Sequence, residues 1–166
     1  MEEQMDIKTI IQKKSEVITK YGPWTAHNIQ LRDDIYTIAP EIIGDEVKLR
    51  RIVQCVLDLV GGSVEGLRIL DLACLEGLYA IEFARHKATC LGIEGREANV
   101  EKARFAKQVL LLDNLSSLRT MCATSRLRSM VSSTLCSAWE FCITSMLQMC
   151  SLSWRESAKS AAKYAL

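Results

Sequence analysis

The stretch RILDLACLEGLYAIEFAR, residues 68–85, decides the fold of this chain of 166 residues. Its first part is a short apolar run bounded by turn residues, which is typical of a buried strand. From Gly77 onward, apolar side chains recur at helical spacing. The stretch therefore predicts a strand, a tight turn and a helix. An acidic residue, Asp71, stands near the end of the strand, and the turn contains a single glycine.

The neighbouring segments extend this pattern into an α/β fold. A second buried strand is predicted over residues 88–94, and a long helix over residues 96–112. Because a strand, helix, strand, helix order at this spacing is typical of parallel strands with right-handed crossovers, we expect a parallel sheet. Residues 1–60 precede the sheet and are predicted to form an N-terminal cap of helices and an extended segment.

Composition and charge exclude several classes of protein. The net charge of +1 carries no nucleic-acid signature, and no apolar run reaches the roughly 18 residues that span a bilayer. The N-terminus is acidic and lacks an apolar signal core, so we expect a cytoplasmic protein without membrane contact. The seven cysteines form no CxxC pair. They are expected to be reduced thiols, and no metal site is predicted.

Two acidic residues mark the carboxyl ends of the predicted strands, where open α/β sheets bind their ligands. Asp71 follows the first strand and Glu94 follows the second. A dinucleotide-binding turn would read G-x-G-x-x-G, whereas Ala73 and Leu75 stand in place of its first two glycines. A pyrophosphate would be crowded there, which disfavours a nicotinamide-dependent oxidoreductase. S-adenosylmethionine, a cationic nucleoside without phosphates, fits the pattern better.

Residues 67–113 resemble the first half of a class I S-adenosylmethionine-dependent methyltransferase. LDLACLEG matches the acid-x-Gly-x-Gly-x-Gly motif of that family, and GIEGREANVEKAR matches its second motif. The resemblance implies an incomplete Rossmann-like methyltransferase fold, with an S-adenosylmethionine-binding half-domain over residues 61–115. The residues that it implies around the cofactor are Asp71, Ala73, Leu75 and Gly77 on the methionine side and Glu94 at the ribose hydroxyls.

Two residues of the cap are candidates for a substrate site. Trp24 and His27 belong to GPWTAHNI, which precedes the predicted sheet, where substrate caps of methyltransferases often lie. Trp24 is able either to stack on a substrate ring or to close a core, and His27 is a candidate general base. No catalytic residue is identified, and neither the methyl acceptor nor the oligomeric state follows from the sequence.

Residues 116–166 differ in composition from the preceding chain. They contain 12 serines and no Asp, Gly or Pro, although the turns of α/β proteins rely on such residues. When WEFCIT and its neighbours are back-translated and regrouped one base out of frame, the result resembles the fourth strand of the same family. We therefore interpret the tail as frameshifted. The alternative is a genuine serine-rich helical segment.

The frameshift interpretation has consequences for stability and activity. A frameshifted chain would keep only two strands of the sheet, with an uncovered edge. It would lack the later strands that, by the family resemblance, carry the adenine and acceptor sides of the site. We therefore expect weak or no methyl transfer by this chain. The alternative function is a non-catalytic remnant or interaction protein that uses the tail as a partner-binding helix.

Overall fold

The computed structural model describes residues 5–39, 44–119 and 141–142. It contains helices in the predicted N-terminal cap and both predicted strand–helix units of the sheet. In chain order the elements are α1 (Ile7–Tyr21), β1 (Gln30–Arg32), β2 (Ile35–Tyr36), α2 (Gly44–Val60), β3 (Arg68–Leu72), α3 (Leu78–Arg85), β4 (Thr89–Glu94), α4 (Glu97–Leu110), β5 (Leu115–Arg119) and β6 (Phe141–Cys142).

Within the described residues, the central sheet consists of four parallel strands in the order β5-β4-β3-β6. β3 and β4 pair from Arg68 opposite Thr89 to Leu72 opposite Ile93. The first strand of the sheet therefore lies in its interior, and later strands are added on both sides of it. This is the order of a Rossmann-like fold, in which ligands bind where the strand order reverses. The predicted α/β fold with parallel strands is confirmed.

The expectation of a two-stranded fragment is wrong. β5 crosses the predicted domain boundary after residue 115 and pairs with β4 through Arg119, while β6 pairs with Ile69 and Leu70 on the other side of β3. Backbone pairing thus covers the free edge of β4 from Cys90 to Glu94 and part of the free edge of β3, the two edges that a two-stranded sheet would expose. The rest of the tail, including most of the segment interpreted as frameshifted, lies outside the described residues.

A shared apolar core joins the cap to the sheet. Phe83 of α3, which is fully buried, belongs to the same cluster as Ile10 of α1 and Ile29 just before β1. The cap is therefore part of the folded unit that carries the sheet. In the part of the chain that the structure describes, no helix combines the length and apolar character needed to cross a membrane.

One polar side chain fixes the opposite end of the sheet, at the amino ends of the strands. Asn114, immediately before β5, donates from its amide nitrogen to the carbonyl oxygens of Ala84 and Ala88, at 2.7 Å in both cases. These bonds join the end of α3 to the start of β5. They lie away from the carboxyl edge, where the candidate site is found.

Candidate functional site

The turn between β3 and α3 keeps a left-handed backbone where the resembled motif has glycines. The φ angles are 57° at Ala73, 49° at Leu75 and 88° at Gly77. A residue with a Cβ atom is disfavoured in this region by roughly 1–2 kcal/mol. The turn therefore follows the course of a glycine-rich turn at the expense of backbone strain at two non-glycine positions.

Two glycines let the turn pack closely on its surroundings. A Cβ atom at Gly77 would lie 3.1 Å from the Cβ of Ala103 in α4, so α3 begins in direct contact with α4. A Cβ atom at Gly92 of β4 would lie 2.8 Å from Sγ of Cys74, so the turn folds back over β4. Burial raises the pKa of the Cys74 thiol, which indicates a packing residue and not a nucleophile.

Asp71 is a buried carboxylate with an unsatisfied oxygen. The residue is 3% exposed, and its Oδ2 atom has no hydrogen-bond partner among the described residues. Burial raises the pKa of Asp71 to about 7; a backbone hydrogen bond from Ala80 opposes this shift, and the charge of Glu94 adds to it. An unpaired buried carboxylate oxygen is unfavourable unless a proton or a ligand pairs with it.

Glu94 holds the turn against the end of β4. Its Oε2 accepts from the backbone N–H of Leu75 at 3.0 Å, and its Oε1 accepts from the backbone N–H of Arg96 at 2.8 Å. A carboxylate offers about four lone-pair sites, so each oxygen keeps acceptor capacity for a ligand hydroxyl. The structure therefore places Asp71 and Glu94 on neighbouring strands, at the carboxyl edge of the sheet.

Glu76 is a residue of this turn that the sequence pattern did not single out. It is fully buried and accepts hydrogen bonds from the backbone N–H groups of Thr25, Ala26 and His27 at 2.9–3.1 Å. Its Oε1 lies 3.3 Å from Nζ of Lys102, which is also buried. Lys102 could have been noticed in the sequence, because it is a charged residue on the buried face of α4, where every other residue except Asn99 is apolar.

The two cap candidates lie beside this turn. Trp24 is 4% exposed, and its ring centroid lies 5.8 Å from that of Phe105, which supports the packing role. His27 is also buried. Its Nδ1 accepts from the backbone N–H of Leu78, the first residue of α3, at 3.3 Å. Its ring packs edge to face against the ring of Tyr79.

Metal ligation finds no support in the described ranges 5–39, 44–119 and 141–142. They contain no group of three or more His, Cys, Asp or Glu side chains placed to hold a metal ion.

Comparisons with known proteins agree with the fold. No family model matches this sequence, and no curated protein is significantly similar to it. The N-terminal domain of EvdMO1, crystallised in the presence of SAH (S-adenosylhomocysteine) and D-fucose, superposes with a TM-score of 0.54 at 25% identity, covering 70% of this chain and 46% of that domain. A structure of EvdMO1 gives a TM-score of 0.52 at 26% identity, covering 70% of this chain and 24% of that one.

The chain thus spans less than half the length of these similar structures. Their similarity, together with the strand order, confirms the predicted Rossmann-like methyltransferase fold, of which the described residues form a part.

Proposed function

We propose that this chain, which carries part of the fold of the class I S-adenosylmethionine-dependent methyltransferases, binds S-adenosylmethionine at the carboxyl edge of β3 and β4. The observation that carries the proposal is the pair of buried acids on that edge. One of them, Asp71, has a carboxylate oxygen without a partner among the described residues. The presence of SAH in crystals of the similar EvdMO1 domain adds support.

The residues at this edge fit a cationic nucleoside. Glu94 retains acceptor capacity for the two ribose hydroxyls, and such charge-assisted bonds are stronger than neutral ones. Asp71 would pair with the methionyl ammonium, directly or through water, which would give its unsatisfied oxygen a partner. The turn formed by Ala73, Leu75 and Gly77 would line the methionine side. Side chains at the first two of these positions leave less room than three glycines would.

The function that this arrangement supports is methyl transfer to an acceptor that is not yet identified. When bound, the cofactor would supply an electrophilic methyl group on a sulfonium sulfur. The residues of this chain would bind and orient it, and orientation is a large part of catalysis in such a reaction. We expect methyl transfer by this chain to be slow or undetectable, because the site described here is the β3–β4 half of a larger one.

Isothermal titration with S-adenosylhomocysteine tests the proposal. The unmodified chain should bind it, and Glu94→Gln should weaken binding by about tenfold or more, because the charge-assisted bonds become neutral ones. The control is Glu101→Gln, which removes a charge from α4 where Glu101 pairs with Arg104 at the surface. This control should leave the affinity unchanged. Tighter binding of a nicotinamide dinucleotide than of S-adenosylhomocysteine would overturn the proposal in favour of an oxidoreductase.

A further inference from the structure

The Glu76 carboxylate is bound by the cap as an anion would be. Three consecutive backbone N–H groups, of Thr25, Ala26 and His27, converge on its two oxygens at 2.9–3.1 Å. Successive N–H groups that point into one concavity form an anion-binding nest. Here the anion is a side chain of the turn that lines the proposed cofactor site. The cap therefore recognises the turn through a charge and not only through apolar packing.

Lys102 compensates this charge and adds a second connection. Its Nζ lies 3.3 Å from Oε1 of Glu76 and donates to the carbonyl oxygen of Pro23 at 2.6 Å. Both members of the ion pair are at least nine-tenths buried. Removing one partner of a buried ion pair leaves the other uncompensated, whereas hydrogen bonds to both partners make the pair tolerable. The cap segment 23–27, the turn and α4 thus meet at one polar cluster.

The cluster is continuous with the residues that would contact the cofactor. Glu76 directly follows Leu75, whose backbone N–H donates to Glu94. On its other side, the chain passes through Gly77 to Leu78, whose N–H donates to His27. A displacement of the Glu76 side chain would therefore move the turn at both ends.

We propose that Glu76 is a positioning residue: by binding the segment 23–27, it fixes the turn at residues 73–77 in the conformation that receives the cofactor. This inference rests on the proposed function for its catalytic meaning. The coupling itself, from the cap through Glu76 to the Leu75–Glu94 bond, is a property of the free protein. It predicts that loosening the cap segment loosens the cofactor turn.

Amide hydrogen exchange on Glu76→Gln tests this coupling without any ligand. The substitution removes the charge and one acceptor. Exchange should accelerate by about tenfold or more at residues 25–27, and also at Leu75 and Leu78. The control is Asn114→Ala, which removes two hydrogen bonds at the opposite end of the sheet. Two results would overturn the proposal. One is that Glu76→Gln accelerates exchange at residues 25–27 but not at Leu75 and Leu78; the other is that Asn114→Ala accelerates exchange at Leu75 and Leu78 as much as Glu76→Gln does.

A second variant keeps the test decisive if Glu76→Gln fails to fold. Glu76→Asp retains the charge beside Lys102 but withdraws the carboxylate by one methylene from the N–H groups of the cap. It should produce the same pattern of exchange.

Titration with S-adenosylhomocysteine then addresses the role in binding. Under conditions where each variant is fully folded, both should lose about tenfold or more in affinity, while Asn114→Ala should not. Unchanged affinity of the folded variants would reduce Glu76 to a structural residue. Absence of binding by the unmodified chain would instead refute the proposed function, and the exchange rates alone would then decide whether the coupling exists.

Discussion

Replacing Asp71 by Asn should stabilise the free protein and weaken its binding of S-adenosylhomocysteine. The side chain is 3% exposed, and its Oδ2 has no hydrogen-bond partner among the described residues. Asparagine has nearly the same shape and still accepts a hydrogen bond, but it carries no charge that burial would disfavour. A residue suited to a cationic ligand is thus unfavourable in the unliganded fold, which is a common conflict between stability and function.

The stabilisation should depend on pH with a definite sign. Burial raises the pKa of Asp71 from its ordinary value of 3.8 to about 7. Between these values the folded protein holds a proton that the unfolded chain has released. The stability linked to this proton is complete below pH 3.8 and is lost as the pH rises through 7. The loss between pH 5 and pH 8 should be about 3 kcal/mol from this group alone.

Urea unfolding of the two proteins at pH 5, 6, 7 and 8 measures this effect. The stability advantage of Asp71→Asn over the unmodified chain should grow by about 3 kcal/mol across the series. The control Asp58→Asn alters an exposed carboxylate of α2 and should give no such trend. If the free energies of unfolding of the unmodified chain and of Asp71→Asn changed in parallel with pH, the reasoning would be refuted, because folding would then not alter the pKa of Asp71.

Three further predictions concern the turn and the tail. Ala73→Gly replaces an exposed side chain on a left-handed backbone and should raise the free energy of unfolding by about 0.5 kcal/mol in urea titrations. A loss of stability would mean that the backbone at Ala73 is not strained. Gly77→Ala should cost about 2 kcal/mol or more, and Gly22→Ala, which has positive φ but open space around it, only about 1 kcal/mol; equal losses would contradict the close approach to Ala103. Sequencing the coding DNA from about codon 105 past the stop should reveal a second open frame that encodes the missing strands; early stop codons in that frame would mean that residues 116–166 are genuine.

The β-α-β-α frame was predictable because its signals are local. The strand predicted in the first part of residues 68–85 is observed as Arg68–Leu72, and the helix predicted over residues 96–112 as Glu97–Leu110. Each depends on an apolar pattern within a single element, bounded by its own turn residues. The acids at the strand ends could also be placed, since parallel strands align their carboxyl ends at one edge.

The contacts around Glu76 were not predictable in this way. These contacts join Glu76 to residues about fifty positions earlier in the chain. A periodic sequence pattern predicts the structure of a single element and not a contact between residues so far apart. β5 was missed for a different reason. LSSLR lacks the β-branched and aromatic residues that mark a strand. Its place beside β4 becomes visible only in the structure, through backbone pairing and the burial of Leu115 in the core.

The position of the site along the chain makes the proposed cofactor binding independent of the proposed frameshift in the tail. Asp71, Glu76, Glu94 and Lys102 all precede residue 116, so the polar contacts proposed for the ribose and the methionyl ammonium do not depend on the reading frame of the tail. By the family resemblance, the adenine and acceptor sides belong to later strands. Restoring the second frame, if it is open, should therefore tighten S-adenosylhomocysteine binding modestly but raise methyl transfer from undetectable to measurable. Binding that depended entirely on the restored frame would mean that the two acids are not the centre of recognition.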